Sequence, residues 1–369
     1  MDSSNKLFLL DAYALIYRAY YAFIKNPRIN SKGFNTSAIL GFVNTLEEVL
    51  KKENPTHIGV AFDPAGPTFR HEAFEQYKAQ REETPEAIRL SVPIIKDIIR
   101  AYRIPILEVA GYEADDVIGT LATEAGRQGI TTYMMTPDKD YGQLVSDKVF
   151  MYRPKHTGGF EVMGVEEVKA KFDIQSPAQV IDMLGLMGDS SDNIPGCPGV
   201  GEKTAQKLIS EFGSIENLLE HTDQLKGALK TKVETNREMI TFSKFLATIK
   251  IDVPIQLEMD SLVREEADED SLRSIFEELE FRTLIDRVLK KEVSGNGITS
   301  TPKSKVATGK SAPSPLPLFP EEGGGIQGDL FANFTPNEPN EAKKSNLETL
   351  ESQSRNYQPV SYTHLTLPT

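Results

Sequence analysis

Three apolar runs of the sequence end in acidic residues. The acids that follow these runs are Asp11, Asp63, Asp138 and Asp140. Carboxylate oxygens are the ligands that hard divalent cations such as Mg²⁺ and Mn²⁺ prefer. A set of acids placed in this way is therefore a candidate metal site, and the chemistry to consider is metal-assisted hydrolysis.

Two further acidic groups occur away from the ends of the apolar runs. Glu113, Asp115 and Asp116 fall within one turn at the start of a predicted helix, and Asp189 and Asp192 lie together in a Gly-Asp-Ser-Ser-Asp-Asn segment. A single acid at a helix start is usually a cap. Capping accounts for at most one of the three at this turn, so the group also counts toward a metal site.

Cations would make such a concentration of acid tolerable. Clustered carboxylates repel one another and raise each other's pKa values, which costs stability unless a cation neutralises them. The five histidines are scattered and the chain has one cysteine, so no zinc-ligand pattern is present. The composition of the acidic group therefore favours Mg²⁺ or Mn²⁺.

The strands and helices that must position these acids are predicted to form an α/β fold. Short apolar runs at 7–10, 57–62 and 131–136 alternate with helical patterns at 36–51, 88–102 and 114–128. This alternation predicts a mostly parallel central sheet flanked by helices. The carboxyl ends of parallel strands share one edge, where ligands bind, so we expect the strand-end acids to converge there.

The sequence divides into four predicted regions. Residues 1–164 form the α/β core, and 165–291 form a helical subdomain whose one candidate strand spans 249–257. Residues 292–358 have the composition of a disordered linker. Residues 359–369 match nothing expected after that linker, and we interpret them as a non-native tail on a truncated fragment, with a natural divergent end as the alternative.

Bulk composition places few limits on function. The net charge of −13 argues against a polyanionic partner only weakly, because bound cations reverse the sign of an acidic site. The single cysteine, Cys197, fits a reducing compartment, and no apolar stretch approaches the length of a membrane span. We therefore expect a cytoplasmic protein without membrane contact.

The motifs that surround the acids resemble those of a known family. The runs LFLLDAYALIYRAYYAF, GVAFD, FRHEAFEQYKAQR, GYEADDVIGTLA, TPDKDYGQLV and GDSSDNIPGCPGVGEKTAQKLI are similar to the motif series of the 5′-nuclease (flap endonuclease) superfamily, in the branch fused to bacterial DNA polymerase I. The resemblance spans residues 6–291 and keeps the motif order. It implies a 5′-nuclease fold with a helix-hairpin-helix subdomain.

The resemblance also implies roles for individual residues. The metal-binding acids of the family correspond to Asp11, Asp63, Glu113, Asp115, Asp116, Asp138, Asp140, Asp189 and Asp192. They would hold two or more Mg²⁺ or Mn²⁺ ions in two groups, one at the first strand and the Glu-x-Asp-Asp acids, the other including Asp189 and Asp192. Several of these acids would act through bound water.

Basic and aromatic residues accompany the acids. By resemblance, residues 69–92 form a helical arch whose Lys78 and Arg81 contact the scissile phosphate, and Arg18 lies near the active site. The spacing of Lys78 and Arg81 places them on one helical face, which without the resemblance would be an ordinary solvated surface. Arg70 is expected to bind DNA. Tyr77 either stacks on a base or packs under the arch.

A glycine-rich turn predicts a second DNA contact. The residues that carry it are Gly199, Gly201, Lys203 and Thr204. Glycine lets a backbone approach a phosphate, and a helix start offers free N–H groups. By resemblance, this is a helix-hairpin-helix that grips the backbone of duplex DNA and usually holds K⁺. Taken alone, such a turn is a weak signal.

One motif lies in the predicted linker. Gln327, Leu330 and Phe331 resemble the short peptide by which bacterial repair enzymes dock on the sliding clamp. The alternative is a chance Leu-Phe pair that packs on the nuclease.

The sequence thus predicts a monomeric, structure-specific 5′-3′ exonuclease and flap endonuclease. Its substrates would be DNA with 5′ flaps, nicks or ends, and RNA primers on DNA, in the replication and repair roles of the parent polymerase. Two alternatives remain: a related PIN-type ribonuclease, and a non-catalytic DNA-binding scaffold. The arch and the glycine-rich hairpin disfavour the first, and the complete set of acids disfavours the second.

Overall fold

The computed structural model describes residues 5–155 and 158–289. The strands are β1 (Lys6–Asp11), β2 (His57–Ala61), β3 (Ile106–Leu107), β4 (Thr131–Met135), β5 (Val149–Pro154) and β6 (Phe160–Met163). The helices are α1 (Ala12–Ala22), α2 (Ser37–Lys52), α3 (Phe69–Ala73), α4 (Glu86–Ala101), α5 (Ala114–Arg127), α6 (Val165–Phe172), α7 (Gln179–Met187), α8 (Glu202–Phe212), α9 (Ile215–Glu220), α10 (Gly227–Thr235), α11 (Arg237–Ala247), α12 (Glu269–Glu278) and α13 (Arg282–Val288).

The strands form one six-stranded sheet in the order β3-β2-β1-β4-β5-β6. All neighbouring pairs are parallel except β5 and β6. The predicted class, a mostly parallel sheet between helices with a helical subdomain, is confirmed. Because β1 lies between β2 and β4, the acids that follow these three strands share one edge.

Alternate side chains of β1 enter two hydrophobic cores. Leu7 and Leu9 join the cluster that includes α5 and the helical subdomain, whereas Phe8 and Leu10 join the cluster formed with α1, α2 and α4. All four side chains are fully buried. Because successive side chains of a strand point to opposite faces, β1 packs against a layer of helices on each side of the sheet.

The last two helices, α12 and α13, pack on the α/β core. Leu272 and Phe276 of α12 and Leu284 of α13 belong to the same cluster as α1, α2 and α4. The backbone N–H of Arg264 also donates to the carbonyl of Thr56, beside β2. The part of the predicted helical subdomain beyond α11 therefore packs on the sheet layer.

The predicted strand at 249–257 is wrong. In the structure this segment is irregular, and side chains satisfy its backbone donors. The N–H of Ile249 donates to Gln143 Oε1 at 2.8 Å, that of Lys250 to Asp116 Oδ1 at 2.7 Å, and that of Val253 to Thr120 Oγ1 at 3.2 Å. Contacts with distant residues thus replace a strand ladder.

Candidate active site

Asp11 and Asp63 lie at the carboxyl edge of two neighbouring strands. Asp11 ends β1 and caps α1, since its Oδ1 accepts the N–H of Ala14 at 3.1 Å. Asp63 follows β2, and its Oδ1 accepts the N–H of Ala114 at 2.7 Å. Burial, together with repulsion from Asp63, raises the pKa of Asp11 to about 7. The site therefore favours a bound cation or a proton at this point.

The segment after β4 brings two more carboxylates to this edge. Asp138 precedes the 3₁₀ helix Lys139–Leu144, and its Oδ1 accepts the N–H of Asp140 at 2.9 Å. The Oδ1 atom of Asp140 is buried and has no hydrogen-bond partner among the described residues. Buried polar atoms rarely lack a partner. This oxygen is therefore suited to bind a cation.

The start of α5 supplies a compact group of acids. Glu113 is the N-cap of α5, and one carboxylate oxygen from each of Glu113, Asp115 and Asp116 lies within 4.8 Å of the other two. Burial and repulsion from Asp116 raise the pKa of Asp115 well above its usual range. The side chain of Asp115 remains 24% exposed and thus accessible from solvent. An all-oxygen donor set of this spacing fits Mg²⁺ or Mn²⁺.

Asp116 differs from its two neighbours because hydrogen bonds occupy its whole carboxylate. Its Oδ1 accepts from Arg70 and from the N–H of Lys250, and its Oδ2 accepts from Arg70 and from the N–H of Glu113, all within 3.1 Å. A carboxylate offers about four acceptor positions. Direct metal coordination by Asp116 would require breaking one of these bonds.

Arg70 is the cation that neutralises this acidic turn from inside the protein. It is 1% exposed, and its guanidinium donates to Glu113 and Asp116 and to the carbonyls of Leu246 and Thr248. The prediction that Arg70 contacts DNA is therefore wrong. Its burial keeps it from a nucleic acid, and it links α3, the start of α5 and the end of α11.

Lys78 and Arg81 lie over the acids, but not on a helix. The segment between α3 and α4 consists of turns, and Lys78 adopts a left-handed conformation with φ of 57°. Its Nζ lies 2.7 Å from Glu113 Oε1 and 3.6 Å from Asp192 Oδ2. Arg81 also pairs with Asp192. The predicted shared helical face is thus wrong, although both cations do converge on the acidic cluster.

Tyr77 packs beneath the same segment. Its side chain is 3% exposed, and its hydroxyl, which has one proton to donate, lies 3.0 Å from Glu113 Oε2 and 3.2 Å from Asp192 Oδ2. In this arrangement the ring is packed under the segment, the second of the two predicted alternatives. Stacking on a base would require the segment to move.

Two glycines shape the loop that carries Asp189 and Asp192. The backbone of Asp189 exchanges hydrogen bonds of 2.9 and 2.8 Å with Ile194, which closes the loop. Gly188 and Gly196 have φ of 73° and 63°, and a Cβ on Gly188 would lie 2.4 Å from the carbonyl oxygen of Ile194. Only glycine fits so close an approach. The loop places Asp192 beside Lys78 and Arg81, and Asp189 3.3 Å from Lys139.

The glycine-rich turn precedes α8, as predicted. Gly199 has φ of 77°, and Gly201 is the N-cap of α8, where an added Cβ would meet nothing within 4 Å. Lys203 is exposed and Thr204 is half-buried on the first turn. The turn therefore presents open backbone at Gly201, as a phosphate contact requires, whereas Lys232 covers Gly199 and donates to its carbonyl at 3.4 Å.

Arg18 lies on α1 and donates to the carbonyl of Lys155 at 3.2 Å. Its role near the reacting phosphate stays a prediction. Gln327, Leu330 and Phe331, which are predicted to dock on the sliding clamp, lie outside the described residues, as do the predicted linker and tail.

Two hydroxyl groups at the site were not predicted from the sequence. Thr136 ends the run that precedes Asp138, and Tyr141 follows Asp140 directly. Both side chains are fully buried and donate to Asp11 Oδ2, at 3.2 and 3.1 Å respectively. Their position beside Asp138 and Asp140 in the sequence is the one feature that indicates a place at the site.

Two family models match the chain. The "5'-3' exonuclease, N-terminal resolvase-like domain" covers residues 6–173, and the "5'-3' exonuclease, C-terminal SAM fold" covers residues 175–270. Together they include every acid described above. The chain belongs to the 5′-3′ exonuclease family.

Curated relatives of this family member include bacterial polymerases. DNA polymerase I of Bacillus subtilis (strain 168) is 43% identical over 291 residues, which cover 78% of this chain and 33% of the relative. DNA polymerase I of Bacillus caldotenax is 42% identical over 287 residues, which cover 77% of this chain and 32% of the relative. The chain thus spans about a third of the length of the curated relatives that it matches.

Solved nucleases share the fold of this exonuclease-family chain. A structure described as divalent metal ions (zinc) bound to T5 5′-exonuclease matches with a TM-score of 0.55 and 21% identity, covering 75% of this chain and 99% of its own. The bacteriophage T5 flap endonuclease in a complex with DNA and metal ions matches with a TM-score of 0.53 and 22% identity, covering 75% of this chain and 100% of its own. At these identities the similarity shows the fold alone. Within the described part of the chain no helix is long and apolar enough to cross a membrane.

Proposed function

We propose that this chain hydrolyses DNA phosphodiesters as a structure-specific 5′-3′ exonuclease and flap endonuclease. The observation that carries the proposal is the convergence of acids from β1, β2, β4 and the start of α5 at one sheet edge, in a member of the 5′-3′ exonuclease family. The buried, unpartnered oxygen of Asp140 supports cation binding at this edge. The likeness to nucleases with bound metal or DNA is consistent with the proposal.

The acids would hold two or more Mg²⁺ or Mn²⁺ ions. The residues that we assign to direct or water-mediated coordination are Asp11, Asp63, Glu113, Asp115, Asp138, Asp140, Asp189 and Asp192. Such ions, when bound, activate the attacking water and stabilise the leaving oxygen of a phosphodiester. Asp116 would act differently, by holding Arg70 and the α5 turn in place. The sequence assignment of Asp116 as a ligand remains a prediction.

Lys78 and Arg81 would stabilise the charge that develops on the scissile phosphate. In the structure they lie against Glu113 and Asp192, with 18% and 44% of their side chains exposed. A phosphate at the site would compete with these carboxylates for both cations. Arg18 would add positive charge nearby, as the resemblance implies.

The glycine-rich turn would grip the duplex next to the cut. Lys203, Thr204, Gly199 and the open backbone at Gly201 would contact phosphates, and a K⁺ ion would occupy the hairpin. Such contacts position a duplex without reading its sequence.

The biological setting follows from the polymerase relatives and remains part of the proposal. The chain would be the nuclease part of a cytoplasmic DNA polymerase I and act as a monomer in DNA repair and in the removal of RNA primers during replication. Its linker motif at residues 327–331 would dock on the sliding clamp.

The test is cleavage of a defined set of substrates by the purified chain. We expect cutting of a 5′-flap duplex near the junction, a 5′ phosphate on the product, and no cutting in EDTA. Faster cutting of single-stranded RNA than of the flap would favour the PIN-type ribonuclease. Flap binding without cutting at any Mg²⁺ or Mn²⁺ concentration would favour the non-catalytic scaffold.

Replacing Lys78 or Arg81 by alanine should slow the single-turnover cleavage of a 5′ flap by about 10²–10³-fold, the scale of losing one charge-stabilising donor. The measurement is rapid-quench cleavage with saturating enzyme and Mg²⁺. Lys148, exposed just before the amino end of β5 and thus at the opposite sheet edge, is the matched control. Equal rates for Lys78→Ala and Lys148→Ala would exclude the assigned role of Lys78.

A further inference from the structure

Two buried hydroxyl groups hold the carboxylate of Asp11 from one side. Tyr141 Oη lies 3.1 Å from Asp11 Oδ2, and Thr136 Oγ1 lies 3.2 Å from the same oxygen. Both side chains are fully buried. Two donors occupy the two lone pairs of a carboxylate oxygen. The Oδ2 atom of Asp11 is therefore fully engaged within the protein.

The other oxygen of Asp11 is engaged only in part. Oδ1 accepts the N–H of Ala14 at 3.1 Å, which leaves one acceptor position on this atom. The two hydroxyls thus fix which oxygen of Asp11 keeps a free acceptor position. The carboxylate cannot rotate without breaking both bonds to Oδ2.

The same hydroxyls connect Asp11 to the next acidic segment. Thr136 Oγ1 accepts the N–H of Asp138 at 3.2 Å while it donates to Asp11. Tyr141 lies in the 3₁₀ helix that begins after Asp138 and contains Asp140. The network therefore sets the orientation of Asp11 relative to the acids that follow β4.

We propose that Tyr141 and Thr136 are positioning residues for the metal site, which present Asp11 Oδ1 as a single-oxygen ligand. Partners that orient a ligand typically change metal affinity by about 10–100-fold when they are removed. The inference rests on the proposed function, because it assumes that Asp11 coordinates a divalent cation. It assigns to Tyr141 and Thr136 no contact with the DNA or with the reacting atoms.

The isosteric variant Tyr141→Phe tests this role directly. We expect the Mn²⁺ dissociation constant, measured by titration calorimetry and by electron paramagnetic resonance, to rise by about 10-fold or more. The Mn²⁺ concentration that gives half the maximal flap-cleavage rate should rise by the same factor, and saturating Mn²⁺ should restore most of the rate. Thr136→Val should behave in the same way, whereas Thr136→Ser keeps the hydroxyl and should retain the wild-type affinity.

Tyr102→Phe is the matched control. The hydroxyl of Tyr102 donates to Glu47 at 2.5 Å in a similarly buried pair between α2 and the end of α4. This variant should lose a comparable amount of thermal stability without any change in Mn²⁺ affinity.

Two outcomes would overturn the inference. If Tyr141→Phe binds Mn²⁺ within about twofold of the wild type, or no more weakly than Tyr102→Phe, the hydroxyl does not position Asp11 for metal, although the nuclease proposal would stand. If the wild-type chain itself binds no Mn²⁺ or Mg²⁺, both this inference and the proposed function fail.

Discussion

Replacing Asp115 by asparagine should reduce the cleavage of a 5′ flap by at least about 10³-fold, because cations at this site supply several kcal/mol of transition-state stabilisation. Asp115 is the accessible member of the α5 group, and its Oδ1 accepts the N–H of Asp116 at 2.7 Å. An asparagine oxygen can keep that hydrogen bond. The change therefore removes one negative charge while it preserves the helix start, and binding to the flap should remain close to the wild-type level.

The measurement combines single-turnover cleavage with fluorescence anisotropy of a labelled flap in Ca²⁺. Asp97→Asn is the matched control, since Asp97 lies on α4 with 61% of its side chain exposed and should tolerate the change without effect. Cleavage by Asp115→Asn within tenfold of the wild-type rate would show that the α5 group is not the metal site.

Replacing Arg70 by methionine should lower the free energy of unfolding by about 3–5 kcal/mol, the usual cost of removing one partner from a buried ion pair. Methionine keeps much of the side-chain volume but leaves Asp116, which is fully buried, without its cation. It also removes the donors to the carbonyls of Leu246 and Thr248, which connect the end of α11 to the α5 turn. Flap cleavage should fall as well, because Glu113 loses one of its fixed contacts.

Urea denaturation followed by circular dichroism measures this loss. Arg89→Met serves as the control, because Arg89 has 62% of its side chain exposed and pairs with Glu83 at 3.8 Å. Exposed pairs of this kind contribute about 0–1 kcal/mol. A loss of less than about 1 kcal/mol for Arg70→Met would contradict the stabilising role assigned to the buried Arg70–Asp116 pair.

The sequence predicts the parts of the fold that depend on local pattern. The apolar runs at 7–10, 57–62 and 131–136 correspond to β1, β2 and β4, because central parallel strands are buried on both faces. The other strands were not predicted. β3 has two residues, and β6 is an antiparallel edge strand with exposed side chains, so neither leaves a clear apolar run.

The strand order of the sheet makes one part of the candidate site predictable from the sequence, namely the grouping of the strand-end acids. The carboxyl ends of β1, β2 and β4 had to share an edge, which is why Asp11, Asp63 and Asp138 could be grouped from the sequence. The surroundings of the acids depend on contacts between distant residues. The burial of Arg70 is fixed by carbonyls 176 and 178 residues further along the chain, which no local pattern indicates.

Backbone conformation explains why Lys78 and Arg81 do not share the predicted helical face. The spacing of Lys78 and Arg81 suggested a helical face, whereas Lys78 has a positive φ and donates its N–H to the carbonyl of Asp192 at 3.0 Å. A positive φ is unfavourable for lysine by about 1–2 kcal/mol. The tertiary contact with the Asp189–Asn193 loop therefore determines the backbone conformation of Lys78, which residue types alone do not indicate.

We propose above all that the acids at the sheet edge form a metal site at which DNA is cleaved. It is tested most directly by the dependence of single-turnover flap cleavage on Mg²⁺ concentration, measured for the wild type and for Asp115→Asn. We predict no cleavage without Mg²⁺, a steep rise that fits the binding of two ions, and a product with a 5′ phosphate. Asp115→Asn should fail to reach the wild-type rate at any Mg²⁺ concentration. Cleavage that persists in EDTA, or that is equal in Asp115→Asn and the wild type, would contradict the account.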